Sequence, residues 1–416
     1  MGLIVQKYGG TSVADEACIQ HVASRIKTSY DAGDHVVVVV SARSGVTNDL
    51  INRASRLTSK PDCRELDMLL SIGEQETIAL VTIALHALGV PAVSRTGAQA
   101  GIITTDQHTQ ARILHITGGD IKEQLDAGRV VVVAGFQGVS DKGEITTLGR
   151  GSSDLTAVAI ASFLEADRCE IYTDVEGVHT GDPSLIADAT LLKQMDYGMM
   201  QELSSSGFKV VQARAVQLAE RYKMPMVVSS SKKSSAGTSI QDELSSFEGP
   251  RVYGVALDKQ QAKILIEGIA HEPRSLAQLF AALKAASVEV GMVLQSDSRD
   301  IKKGLSITVP HAQLHAASAA LEVVFDRLGE GRIIDMGPVA KLSVVGAGMR
   351  SDVSIMATLL AALAEAQVQV LMVSTSEVRI TVVIPVQKAE EALRFIHSAL
   401  GLGSKKTEEA LTMQVG

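Results

Sequence analysis

Thr147-Leu148-Gly149-Arg150-Gly151-Ser152-Ser153-Asp154 places a glycine loop, a guanidinium, two hydroxyls and a carboxylate between an apolar run, Val130 to Phe136, and a helix expected over Asp154–Ala166. Backbone N–H groups in such a loop can surround an anion at the helix N-terminus. Arg150 adds a planar fork that suits a carboxylate or phosphate, and Asp154 suits an ammonium or Mg²⁺. Taken alone, the segment also reads as a turn and a cap. A second loop supports function: Ile4-Val5-Gln6-Lys7-Tyr8-Gly9-Gly10-Thr11-Ser12 reads as a buried strand entering a glycine turn with a lysine at its edge. It is neither G-x-x-x-x-G-K-S/T nor G-x-G-x-x-G.

Working outward, apolar strands alternate with helices. Strands are expected at Leu3–Lys7, His35–Ser41, Ala92–Ser94, Val130–Phe136, Glu170–Thr173 and Pro225–Ser229. Helices are expected at Asp15–Ala32, Arg64–Leu88, Thr109–Asp126, Asp154–Ala166, Met199–Ser205 and Ala213–Tyr222. The alternation predicts an α/β fold, a mostly parallel sheet with helices on both faces, and ligands outside the carboxyl ends of its strands. Both glycine loops, and Ser41-Ala42-Arg43-Ser44-Gly45-Val46-Thr47, follow strands and would meet at one sheet edge.

The chain has 416 residues, enough for two or three domains, and 46% hydrophobic residues supply their cores. Net charge is −8 and aromatics are 3% with no Trp, which argues against a base-stacking nucleic-acid platform. Cys18, Cys63 and Cys169 form no C-x-x-C pair, so they read as buried, inert thiols of a reducing cytoplasm. No targeting pattern is recognised, the apolar runs read as too short for a bilayer, and no side-chain metal site is expected.

Ser229 to Gly249 loses apolar periodicity and reads as a linker, set at 231–249 between a catalytic domain, 1–230, and the remainder. Beyond it lies an internal repeat. Ala262-Lys263-Ile264-Leu265-Ile266-Glu267-Gly268 parallels Ala340-Lys341-Leu342-Ser343-Val344-Val345-Gly346, and Val288 to Val293 parallels Val368 to Val373. Each copy reads as βαββαβ, at 250–335 and 336–416, with strands free to interleave. Small sheets of this kind need their edges covered, so a homo-oligomer is expected.

With these motifs assembled, and with Gly73-Glu74-Gln75, Thr96-Gly97-Ala98-Gln99-Ala100-Gly101 and Tyr172-Thr173-Asp174-Val175, the chain resembles the bacterial aspartokinase family over nearly its whole length. The resemblance implies an amino-acid-kinase domain followed by two ferredoxin-like ACT domains through which the family oligomerises and binds amino-acid effectors. It implies ATP and Mg²⁺ as cofactors, L-aspartate as substrate, and a product that opens the route to lysine, threonine and methionine. By position, Lys7 and Asp154 would be catalytic, and Thr47, Glu74, Arg150, Gly151, Ser152 and Ser153 would hold aspartate. Lys7, Tyr8, Gly9, Gly10, Ser41, Thr173, Asp174, His179 and Lys209 would line the nucleotide site. His271, Arg274, Ser275, Leu276, Met292 and Gln295 would face an effector.

Departures from the family pattern fall where ligands bind. Ser152 stands for a glycine, His179 for a tyrosine, Ser184 for an arginine and Phe208 for an alanine. In the repeats, His271-Glu272-Pro273-Arg274 replaces D-x-P-G, Gly291 replaces an aspartate, and Asp352-Val353-Ser354 replaces H-P-G. These changes imply weakened or altered feedback. Two other readings are an aspartate-analogue kinase and a weakly catalytic, amino-acid-binding partner.

Overall fold

The computed structural model describes residues 2–208, 210–233, 235–242, 251–269, 272–295 and 304–403. They fall into two compact units. The first holds residues up to His179, Leu191–Ser205 and Lys209–Phe247; the second holds Thr180–Thr190, Ser206–Phe208 and the chain from Glu248 on.

The first unit opens with β1 (Leu3–Tyr8), α1 (Glu16–Asp31), β2 (His35–Val40), α2 (Val46–Leu57), α3 (Cys63–Leu70), α4 (Ile72–Ala87) and β3 (Ala92–Arg95). Next come β4 (Ile102–Thr104), β5 (Ile113–Ile116), α5 (Ile121–Asp126), β6 (Val130–Ala134), β7 (Gln137–Ser140), β8 (Ile145–Thr147), α6 (Ser153–Leu164) and β9 (Arg168–Thr173). It closes with β10 (Gln194–Asp196), α7 (Tyr197–Ser205), α8 (Ala213–Tyr222), β11 (Met226–Ser230) and β12 (Thr238–Gln241). Eight strands form one sheet in the order β10-β12-β11-β9-β1-β2-β6-β3, parallel except where β12 runs against β11. The valine runs of β2 and β6 are buried on both faces, as a helix-covered parallel sheet requires. Val36, Val38 and Val40 pack with Val22 and Ile26 of α1 and Val81 and Leu85 of α4. On the other face α6, small and apolar along its length, packs on β1, β2 and β9.

Several expectations change here. Arg64–Leu88 is two helices broken at Ser71. Cys63–Ala87 is apolar enough by composition to cross a membrane, but half of its most apolar window is buried within the protein, as in a core helix. Thr109–Asp126 is not one helix: Ile113–Ile116 joins β4 in a four-stranded sheet, β5-β4-β7-β8, because Gly118 and Gly119 both take positive φ and stop any helix before Asp120. The stretch read as linker contains β12, whose Ile240 is buried against β11. Of the three thiols only Cys169 is buried; Cys63 is exposed.

The second unit has β13 (Arg251–Glu267), α9 (Pro273–Ala285), β14 (Val293–Gln295), β15 (Leu305–Pro310), α10 (Leu314–Leu328), β16 (Arg332–Ala347), α11 (Val353–Glu365), β17 (Met372–Thr375), β18 (Arg379–Pro385) and α12 (Ala389–Ala399). The sheet order is β14-β15-β13-β16-β18-β17. Long antiparallel β13 and β16 run through both repeats: Ile264 and Ile266 of β13 join the core of α9 and α10, while its Val255 joins the core of α11 and α12. The edge strands begin later than Val288 and Val368, at Val293 and Met372.

Thr180 ties the Thr180–Thr190 segment to this unit. Its hydroxyl lies 2.9 Å from His397 Nε2 and donates to the Leu402 carbonyl. His397 is 1% exposed, and burial lowers its pKa from the ordinary value near 6.5, against the pull of Asp188 3.8 Å away. A histidine held neutral in the folded state stabilises fully above pH 6.5, and the stabilisation is lost as pH falls below that value, where only the unfolded chain takes up the proton. The second unit's urea midpoint should therefore fall between pH 7 and pH 5, and His397→Gln should flatten that slope.

Candidate active site

Lys7 and Tyr8 are neighbours on β1, so their side chains take opposite faces. Tyr8 enters the α1 side, fully buried and stacked on Tyr172 at 4.9 Å between ring centres. Its side chain is therefore core and not part of a nucleotide pocket; only its carbonyl reaches the strand ends, accepting from the Ser41 N–H at 3.1 Å. Lys7 takes the α6 side, where its Nζ lies 2.7 Å from Asp154 Oδ1, with both side chains about a tenth exposed. Its ammonium also lies over Gly9, 3.4 Å from where a Cβ would stand. A Cβ on Gly10 would come 2.6 Å from the Ala42 carbonyl oxygen, so the β1 turn and the Ser41–Thr47 loop touch backbone to backbone.

The glycine loop before α6 turns through Gly149 (φ 90°) and Gly151 (φ 78°), a conformation costly for side-chain-bearing residues. Ser152 sits at φ −78°, ordinary for serine, and its hydroxyl donates to the Leu148 carbonyl at 2.9 Å. The hydroxyl is thus not spent on a cap, and α6 begins with no side-chain cap on its N–H groups. Ser153 is buried beside Gly135. Arg150 is exposed, and its guanidinium forms no ion pair among the described residues.

Glu74 lies in the first turn of α4 and is 3% exposed. Its Oε1 accepts from the Ala42 N–H at 3.0 Å, while its Oε2 is buried without a partner. Burial pushes its pKa up to about 7, against the Ala42 hydrogen bond. Thr47, half-buried, follows Val46, whose side chain lies beside Gly73. At the end of β9 the Thr173 hydroxyl donates to Asp174 Oδ1 at 3.0 Å, and the Gly9 N–H reaches the Tyr172 carbonyl.

The structure thus gathers Lys7, Gly9, Gly10, Ser41, Glu74, Asp154, Thr173 and Asp174 at the carboxyl ends of β1, β2 and β9, with Thr47 and the Arg150 loop at the rim. His179 makes its contact in its own turn, on the Gly177 carbonyl. Lys209 lies outside the described residues, as does His271. In the second unit Arg274, Ser275 and Leu276 occupy the first turn of α9, with Leu276 in the first repeat's core. Met292 packs instead with Val339, Met372 and Val383, and Gln295 is exposed on β14.

Two residues were not singled out from sequence. The Gln212 N–H donates to Asp154 Oδ2 at 3.0 Å, and its side chain reaches the Arg150 carbonyl and the Ser152 hydroxyl. Asp67, fully buried on α3, accepts from Thr147 Oγ1 at 2.5 Å and from the Thr109 N–H, with His108 Nδ1 at 2.9 Å. It anchors the strand that enters the glycine loop.

A sequence model described as the amino acid kinase family matches residues 2–230, and one described as an ACT domain matches residues 342–400. An aspartate kinase of Stutzerimonas stutzeri is 45% identical over 403 residues, covering 97% of this chain and 98% of its own. The chain belongs to the aspartate kinase family. An aspartokinase of Pseudomonas aeruginosa is also 45% identical, covering 97% and 98%. Among solved structures, the aspartate kinase of Synechocystis aligns with a TM-score of 0.54 at 39% identity, covering 96% of this chain and 69% of that one. Aspartokinase III of E. coli, solved with aspartate and ADP, shares the fold at a TM-score of 0.79 and 22% identity, covering 96% and 99%.

Asp67→Ala leaves the donors of Thr147 and Thr109 without their acceptor inside this aspartate kinase, which should cost about 3 kcal/mol. Urea unfolding of the first unit measures it.

Proposed function

We propose that this aspartate kinase transfers the γ-phosphoryl group of ATP to the β-carboxylate of L-aspartate, giving 4-phospho-L-aspartate and ADP. The observation that carries the proposal is an unfinished set of charges. Glu74 buries a carboxylate oxygen with no hydrogen-bond partner, and Arg150, on the glycine loop before α6, has an exposed guanidinium with no ion pair among the described residues. An α-amino acid supplies the complement: its ammonium to Glu74 and a carboxylate to Arg150.

The nucleotide fits this site on its donors. Gly10 leaves no room for a side chain, α6 opens with uncapped N–H groups, and Lys7 adds a positive charge beside them. Mg²⁺ usually binds through substrate phosphates with one or two carboxylates, and Asp154 and Asp174 would supply them here. MgATP, when bound, supplies the phosphoryl group and neutralises part of its charge. Lys7 exchanges some of its contact with Asp154 for the transferring oxygens, where negative charge spreads in the transition state. Glu74, Thr47 and Arg150 hold the acceptor so that its β-carboxylate faces that group. No general base is needed, because a carboxylate is already ionised at neutral pH.

The second unit supports a further part of the proposal: feedback by lysine and threonine is weakened. A side chain on Gly291 would run into the Lys341 ammonium and the Thr308 hydroxyl, which fill the space in front of it. An effector's ammonium would meet a resident cation there.

Trapping the product as aspartyl hydroxamate tests the activity: the full chain should form it with ATP, Mg²⁺ and L-aspartate, and Lys7→Ala should lose about 100- to 1000-fold in kcat. Glu74→Gln should raise KM for aspartate about tenfold or more while kcat changes less. Lysine and threonine together at 1 mM (about the upper end of ordinary enzyme KM values) should leave most of the rate intact; strong inhibition at that level contradicts the weakened-feedback part alone.

A further inference from the structure

A cavity of about 1010 Å³ opens on the first unit, away from the strand ends, between β5, the outer side of α6, and α8. Arg112, Arg214 and Arg221 line it together with His115, and Glu220 is its single carboxylate. Arg112 and Arg221 form no ion pair among the described residues, and Arg221 lies 5.7 Å from the Tyr222 ring centre. Arg214 gives Nη1 to the Leu148 carbonyl at 2.7 Å and Nη2 to the Ala111 carbonyl at 3.4 Å. Phe163 and Tyr222 add aromatic walls, and the Lys122 ammonium stands 5.6 Å from the Phe163 ring centre.

We infer that this cavity is a second anion site, one that takes a small molecule carrying a phosphate or diphosphate group with a flat or apolar part beside it. Like charges gathered in a half-enclosed space repel one another, and a multiply charged anion relieves that repulsion. Partial burial, and after it the Arg112 charge, lowers the pKa of Arg214 below the ordinary guanidinium value, in keeping with cations that lack a counter-ion. Arginine forks match phosphate oxygens in pairs, and Phe163 and Tyr222 offer surfaces for a ring. The site is distinct from the Lys7 cleft, yet it touches the glycine loop through the bond from Arg214 to Leu148, the residue before Gly149.

The test is calorimetric titration of inorganic pyrophosphate into the full chain carrying Lys7→Ala, without Mg²⁺ and at fixed ionic strength, so that the cleft's own phosphate-binding cation is gone. One equivalent should bind saturably. Adding Arg112→Ala and Arg221→Ala, both at exposed positions, should weaken binding at least tenfold with an unchanged thermal midpoint. Glu220→Gln, which removes the cavity's carboxylate, should tighten it severalfold. Absence of saturable binding, binding that survives loss of the two arginines, or binding unmoved by Glu220→Gln would overturn the assignment.

Discussion

The contact between Lys7 and Asp154 is the constraint around which the first unit is arranged. Both groups are taken largely out of water, which is costly unless each keeps a partner. The fold supplies those partners from three separate places: the end of a central strand, the first turn of α6, and the Gln212 N–H before α8. Moving any one of them leaves a buried charge exposed to its own desolvation. Gly10 answers to a neighbouring constraint, since the turn after β1 passes so close to the Ala42 carbonyl that a Cβ has no room.

What makes this pair useful is that it is not sealed. Lys7 meets a single carboxylate and faces uncapped helix N–H groups, so an anion entering the turn finds donors already fixed in place. Glu74 is the mirror case, a carboxylate with one oxygen committed to Ala42 and one uncommitted. In the function proposed above, the substrate completes hydrogen bonds that folding left open.

Much of this was legible in the chain. Valine runs of five or six residues identified β2 and β6, and the strict alternation of strand and helix gave the parallel sheet. The two glycine loops pointed to the strand ends where the candidate residues gather, because glycine beside lysine or arginine after a strand has a physical reason to be there. Short elements were not legible: β4, β7 and β8 have three or four residues each, too few to show a period. Asp67 sits in Cys63-Arg64-Glu65-Leu66-Asp67, where it reads as one more surface charge, and only the tertiary fold shows that it is fully buried. Gln212 acts mainly through its backbone N–H, which no side-chain pattern reveals. Tyr8 was assigned with its motif neighbours, whereas strand alternation alone separates it from Lys7.

The account stands on Glu74 being a buried acid that becomes the counter-ion of a substrate ammonium, and its raised pKa of about 7 makes that measurable. Only the ionised form binds an ammonium, so affinity should be lost as pH falls below that value. L-aspartate titrated calorimetrically into the full chain at pH 6 and pH 8 should bind about tenfold more tightly at pH 8, and Glu74→Gln should bind weakly and equally at both. Equal affinity of the unaltered chain at the two pH values, or a pH dependence that survives in Glu74→Gln, would contradict it.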